Sequence, residues 1–321
     1  MYQKYRKAVA VTPHDTNELS SPADAIYIGS GDWTSAVDFA GGVGGIQLAS
    51  DAGTAEHWWR ADDSFTDRGT LFLDNNGTGG GDKNAEFKSG GGVAVPSIVQ
   101  DDAGIKNKPY VSFPGDDSYL QVGDHSSLDF DGDFSVVLLM KWDSLGSYET
   151  IMAKDYVNSE WQFYKTNTNT ITGGSIGAEP VSPAIVANQW YVVEWSRSGS
   201  TQNIYLDGIA GTSSSNSTDM SGTDHLFIGK RNDATELPLD GGIAEILIWG
   251  GSTLSASDRD NIVEYFQDKY TGPSKVDVKL KTDTGTEIYK RLETGVIHPI
   301  KTLQVFDTST NGSDIVALYE N

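Results

Sequence analysis

The ends of this chain are each too poor in strands to fold alone, and that restricts it more than any other feature. Near the start, residues 8–12 and 25–29 read as strands, separated by a loop marked by Pro13, Asp15, Asn17 and Pro22; a weaker strand pattern follows at 36–39. Near the other end, Val276, Val278 and Leu280 alternate with Asp277, Lys279 and Lys281. A turn at 283–285 then leads to a strand at 287–289, and two more strands at 301–306 and 315–319 flank Asn311 and Gly312. A two-stranded ribbon is marginal in water, so the two flanks are expected to pair with each other. The intervening residues must then leave and return at exposed loops: Gly41, Gly42, Gly44 and Gly45 suit the exit, and residues 271–274 the return. The expected organisation is a small discontinuous β-domain, 1–45 plus 274–321, interrupted by a domain over 50–273.

The inserted block is itself all-β. The chain holds 36 Gly and only 10 Pro, and Ser, Thr, Asn and Asp fill the gaps between short apolar runs, which is the punctuation of many strands joined by turns. Strands are expected at 110–113, 119–122, 134–141, 148–153, 161–165, 190–196, 202–206, 225–228 and 243–249, a sandwich-like spacing. Asp207 and Gly208 signal a tight turn after Tyr205 and Leu206. One helix is expected, over 258–270. Ser255 or Ser257 can cap it, Asp258 and Asp260 suit its N-terminal dipole, and Gly272 and Pro273 stop it. Ile262, Val263, Phe266 and Tyr270 fall on one side, which makes it a strut against the sandwich.

Charge separates the two parts again. Residues 51–273 hold 14 Lys/Arg against 33 Asp/Glu, whereas 1–50 hold 3 against 5 and 274–321 hold 6 against 7. A block this acidic repels nucleic acid, which excludes it as a partner, and favours solubility and cations. The absence of cysteine excludes disulfides and thiolate metal sites. No run approaches the roughly 18 apolar residues of a membrane span. The start carries Lys4, Arg6 and Lys7 with no apolar run behind them, so it is read not as a secretory signal but as a basic arm able to dock on an acidic neighbouring subunit, or as a terminus without a role.

The order of pieces in the block resembles the laminin-G-like branch of the concanavalin A-like jelly rolls. The pieces are the opening Trp58, Trp59, Arg60, Ala61 and Asp62; Val111, Ser112 and Phe113 ahead of Gly115, Asp116 and Asp117; and Trp190 with Tyr191. They continue with Tyr205, Leu206, Asp207 and Gly208, then Leu226, Phe227, Ile228 and Gly229, then the strand through Trp249 and its helix. The resemblance implies an all-β concanavalin A-like jelly-roll sandwich with one C-terminal helix, inserted in the small discontinuous β-domain. It also implies that one calcium ion can sit at a rim of loops, with Asp62, Asp63, Asp155, Asp233 and Asp240 as contributors; no cofactor is required. The flanks, with Ala10 to Thr16, Ala25 to Gly29 and Asp314 to Tyr319, resemble small β proteins on the heads of tailed phages and gene transfer agents. That second resemblance implies a virion protein on the capsid exterior, a homo-oligomer on the particle, with the major capsid protein or other head proteins as partners.

A jelly roll of this kind can be a hydrolase, and the residues argue against it. Laminarinase-type members alternate carboxylates along one strand so that acid and nucleophile share a sheet face. Here Glu194 and Glu245 each stand alone on their strands, and the five histidines (14, 57, 125, 225, 298) lack ligand spacing, each reading as a surface or turn residue. The glycine runs at 77–81 and 90–92 lack the Lys-Ser/Thr of a phosphate loop. Asp129, Asp131 and Asp133 around Gly132 form a turn, since the glycine is misplaced for a calcium-binding hand and no Glu closes it. The chain is therefore read as not an enzyme. Sugar binding needs an aromatic face plus amides and carboxylates for hydroxyls. The best concentration of these is Asp155, Tyr156 and Asn158 with Trp161 and Tyr164, the other reading of Trp161 being a core residue. The expected function is adhesion to a host-surface glycan, weak per copy and strengthened by many copies on one particle. A shell-stabilising spacer and a free adhesion protein are the alternatives.

Overall fold

The computed structural model describes residues 7–11, 25–30, 57–61, 71–72, 84–154, 161–175, 178–232, 237–272, 275–282, 287–293, 297–298, 302–305 and 313–319. The chain divides into two compact units, the first made of Met1–Ala36 with Gln267–Asn321 and the second of Val37–Phe266. The described strands begin with β1 (Lys7–Val11), β2 (Ala25–Ser30), β3 (His57–Arg60), β4 (Leu71–Phe72), β5 (Ala85–Ser89), β6 (Ser97–Asp102), β7 (Lys108–Pro114) and β8 (Ser118–Val122). They continue with β9 (Phe134–Trp142), β10 (Glu149–Lys154), β11 (Trp161–Lys165), β12 (Ile171–Gly174), β13 (Trp190–Ser198), β14 (Thr201–Leu206), β15 (Ile209–Ala210), β16 (Ser214–Ser215), β17 (Leu226–Ile228) and β18 (Asp240–Gly250). Helix α1 (Ala256–Phe266) precedes β19 (Lys275–Thr282), β20 (Glu287–Glu293), β21 (Ile297–His298), β22 (Thr302–Val305) and β23 (Ser313–Tyr319).

In the first unit, strands from opposite ends of the chain interleave. The order of its larger sheet is β1-β23-β2-β21, so the last strand lies between the two earliest. Lys7 stands opposite Tyr319 and Val11 opposite Ile315, while Ala25 and Ser30 pair with Leu318 and Ser313 on the other side. A separate three-stranded sheet, β20-β19-β22, contains the alternating hairpin, with Lys275 opposite Glu293 and Lys281 opposite Glu287. The expected strand at 36–39 lies outside the described residues, and β21 had no sequence signal strong enough to foresee.

The second unit is a sandwich of a seven-stranded sheet, β12-β11-β10-β17-β8-β5-β4, and a nine-stranded one. The latter runs β15-β14-β13-β9-β18-β7-β6, with β16 also on β14 and β3 on β18. All pairings are antiparallel, as alternating strands joined by short turns require. The inward residues include Val136, Leu138 and Met140 of β9, Val193 and Trp195 of β13, Phe163 of β11 and Leu226 of β17. At one end of this core Phe130 stacks on Phe134 with centroids 4.2 Å apart and on Trp161 at 4.7 Å, and Trp195 meets Phe134 edge-on. Gly173 is required there: a Cβ on it would lie 2.6 Å from the Trp195 ring. The turn after Leu206 places Asp207 and Gly208 at φ 51° and 79°, the left-handed pair that a tight hairpin needs and that Asp-Gly adopts readily.

Helix α1 packs on the outer face of the nine-stranded sheet. Ser255 and Asp258 form a reciprocal cap: Asp258 N donates to Ser255 Oγ at 3.2 Å and Ser255 Oγ donates to Asp258 Oδ2 at 2.6 Å. Arg259 grips buried Glu194 of β13 through Nε and Nη2 at 2.6 and 2.9 Å and lies over the Tyr205 ring. Tyr265 donates its hydroxyl to Glu245 of β18 at 2.8 Å. The helix is shorter than the sequence suggests. It ends at Phe266, and Gln267–Thr271 form a π turn closed by Gly272 N donating to Gln267 O at 2.5 Å.

Candidate functional site

The described groups best suited to a ligand stand at one end of the outer face of the seven-stranded sheet, a face on which Thr150, Ala153, Gln162 and Thr172 are themselves buried. Period-two alternation puts Trp161 and Phe163 of β11 into the core and Gln162 and Tyr164 outward. Register then aligns the outward residues across strands: Glu86 opposite Gln121, Gln121 opposite Phe227, Phe227 opposite Ala153, Ala153 opposite Gln162. One row along, Thr150, Tyr164 and Thr172 are cross-strand neighbours. A register shift between Thr150 and Met152 lets Ile151 and Met152 both reach the core, so Thr150 stays outward beside Tyr164.

Two tyrosines and a carboxylate meet at the end of this face. Tyr148, 46% exposed, has its ring 6.4 Å from that of half-buried Tyr164. Tyr164 donates its hydroxyl to Glu179 Oε2 at 2.6 Å, and Thr172 Oγ1 donates to the same oxygen at 3.4 Å. Burial raises the Glu179 carboxyl above the ordinary carboxylate range, against these two hydrogen bonds. Gly174 lets the Glu179 side chain pack closely, since a Cβ there would lie 3.1 Å from Glu179 Cγ and 3.4 Å from Gln202 Oε1. Tyr148 is set in place by its neighbours: Ser147 Oγ donates to Glu149 Oε1 at 3.0 Å, and buried Lys165 bridges Glu149 Oε1 and Ser147 O, both at 2.9 Å. Burial pushes the Glu149 carboxyl up, while Lys165 and the Asp240 N–H hold it down.

Of the residues expected to bind sugar, Asp155, Tyr156 and Asn158 lie outside the described residues, and Tyr164 is on this face. Trp161 is corrected as a stacking face: it is fully buried, its Nε1 donates to Leu128 O at 3.2 Å, and its ring is enclosed by Phe130 and Trp195. Tyr148 and Glu179 were missed. They stand 16 and 15 residues either side of Tyr164, and only strand register brings them to it.

Of the expected calcium contributors, Asp62, Asp63, Asp155 and Asp233 lie outside the described residues. Asp240, half-buried at the start of β18, belongs to no group of three or more metal-capable side chains among the described residues. Lys4 and Arg6 also lie outside them, and Lys7 opens β1.

The histidines are less scattered than their spacing suggests. His57 Nε2 and His125 Nδ1 each approach Ser127 Oγ to 2.6 Å, and Asp124 N donates to His225 Nδ1 at 3.2 Å, so three of them surround residues 124–127. The reading of His57 as a surface residue is corrected: it is fully buried and stacked on Trp59. Next to them, buried Lys154 bridges Asp129, Asp124 and Gly222 O. Burial works against its charge, but the two aspartates win and raise its pKa. The turn at 130–133 is clamped by Arg197, which donates to the carbonyls of Phe130, Gly132 and Thr218 at 2.6 to 2.8 Å.

Comparison with known proteins places this geometry. Residues 114–258 match the family described as the concanavalin A-like lectin/glucanases superfamily. Domain 4 of an extracellular arabinanase from Geobacillus stearothermophilus, in complex with arabinotriose, is similar over 65% of this chain and 98% of its own, with 15% identity and a TM-score of 0.50. A Trypanosoma rangeli sialidase is similar over 64% of this chain, with 11% identity and a TM-score of 0.47, and this chain covers 32% of the sialidase. The receptor-binding domain of botulinum neurotoxin type G is similar over 72% of this chain and 57% of its own, with 14% identity and a TM-score of 0.48. No curated protein sequence matches. The family match and the two packed antiparallel sheets with their closing helix give the second unit the concanavalin A-like jelly-roll fold.

Proposed function

We propose that the second unit is a non-catalytic carbohydrate-binding module and that the first unit anchors it on the exterior of a tailed-phage head, as a decoration or spike subunit. The observation that carries the carbohydrate reading is the exposed Tyr148 ring beside Tyr164, whose hydroxyl is fixed by Glu179. An aromatic face next to oriented oxygen atoms is what a sugar's C–H face and hydroxyls require. The arabinotriose held by the arabinanase domain supports the same reading for this fold. Absence of catalysis is supported by the engagement of three buried strand carboxylates: Glu194 with Arg259, Glu245 with Tyr265 and Glu149 with Lys165. Adhesion then rests on many weak sites acting together on one particle. Asp155, Tyr156 and Asn158 are further sugar contacts in this proposal.

A glycan array probed with the chain in multivalent form tests the first part. Binding is expected, and Tyr148→Ala should weaken it by about tenfold, the usual loss for an aromatic anchor. An array with no positive glycan at high valency rejects the carbohydrate reading. The resemblance of the flanking segments supports the particle reading, and neighbouring genes that encode neither a major capsid protein nor a portal would count against it. A calcium ion at the loop rim, with Asp240 among its ligands, is a separate proposal. Adding millimolar calcium after chelation should raise the melting temperature, and an unchanged melt rejects it.

A further inference from the structure

We infer that the glycan recognised at Tyr148, Tyr164 and Glu179 is uncharged, an unsubstituted hydroxyl-bearing sugar and not a sialylated, uronic or sulfated one. The inference rests on the carbohydrate-binding reading above and adds the class of ligand.

It follows from where the charges of this sheet are spent. An acidic sugar needs a cation at the site, with guanidinium or ammonium hydrogens aimed at its carboxylate or sulfate. The described lysines of the seven-stranded sheet and its loops are each paired with an acidic side chain, Lys88 in an exposed pair and the others in covered ones. Lys165 is fully buried against Glu149, Lys154 is fully buried between Asp124 and Asp129, Lys230 is bound to Asp117, and Lys88 to Glu86. Arg231 donates to Gln162 on the outward face. The charged group in direct contact with the tyrosine pair is an acid, Glu179.

The surrounding unit carries the same sign, with 33 Asp/Glu against 14 Lys/Arg over residues 51–273. An anionic ligand would therefore meet repulsion both on approach and in place. A neutral sugar meets none, and the chemistry on the page suits it. The Tyr148 ring offers a face for its C–H surface. Both described hydrogen bonds to Glu179 end on Oε2, so Oε1 lies outside them.

The experiment compares matched pairs of neutral and α-sialylated oligosaccharides against the whole chain displayed in multivalent form. The unsialylated member of each pair should bind at least about tenfold more tightly, a difference of roughly 1.4 kcal/mol. Tyr148→Ala should weaken neutral binding by about tenfold, with a melting temperature equal to that of wild type confirming that it folds. Glu179→Gln should narrow the gap between the neutral and the sialylated member, because it removes repulsion while keeping an acceptor. Equal or tighter binding of the sialylated member, still weakened by Tyr148→Ala, overturns the inference and leaves the carbohydrate reading standing. Failure to bind either member overturns both.

Discussion

Glu179 is a residue whose surroundings oppose its charge. Burial is the largest influence and raises its carboxyl above the ordinary 4.5, so the folded protein holds that proton more firmly than the unfolded chain does. Its contribution to stability is then complete below pH 4.5 and is lost as pH rises through the folded value. Wild type should accordingly lose melting temperature relative to Glu179→Gln as pH climbs from 4 to 7, and a parallel pair of curves would refute this. Little of this site could be read before folding. Tyr164 was legible because it sits on an alternating strand near polar loops, but Tyr148 and Glu179 meet it only through the register of β10, β11 and β12. Arg197 was illegible for another reason: its partners are three backbone carbonyls, and carbonyls leave no mark on composition. Trp161 shows the reverse case, since an aromatic beside a polar loop has the same sequence signature whether it faces a ligand or a core.

The helix shows an element held at two points of different strength. Its start depends on the Ser255 and Asp258 exchange, which satisfies backbone donors that no helical carbonyl can reach. Ser255→Ala should cost about 1 kcal/mol, measured by urea unfolding. Its body depends on Arg259 and Tyr265 reaching carboxylates on the sheet beneath. Glu194 is buried deeply enough that burial raises its pKa even against the paired guanidinium. The cap and the helix's placement were legible in Ser255, Asp258 and the spacing of Ile262 and Phe266. The two carboxylates beneath it, read as solitary, are instead what fasten it. The last turn escaped prediction because an α-helix and a π turn differ by one residue in hydrogen-bond span, which residue types do not record.

At the scale of the molecule, the first unit's sheet is completed by its most distant segment. β23 supplies partners to both β1 and β2, so removing residues 313–321 should strip each of its neighbour. Limited proteolysis of that truncated chain should cleave the N-terminal strands rapidly, while the melt of the jelly roll stays within about 2 °C of wild type, less than the shift from 1 kcal/mol in a domain of this size. Loss of both transitions together would show that the units do not fold separately. The need for the flanks to pair was legible from strand count alone; the interleaved order was not, because pairing partners are not encoded in periodicity.

That order also has a consequence in time. During synthesis β1 and β2 leave the ribosome first and must wait, unpaired, while the whole jelly roll is made and can already close on its own core. That sheet is finished only when β23 enters between them. A chain broken off before β23 would therefore carry a folded jelly roll beside an unfinished first sheet.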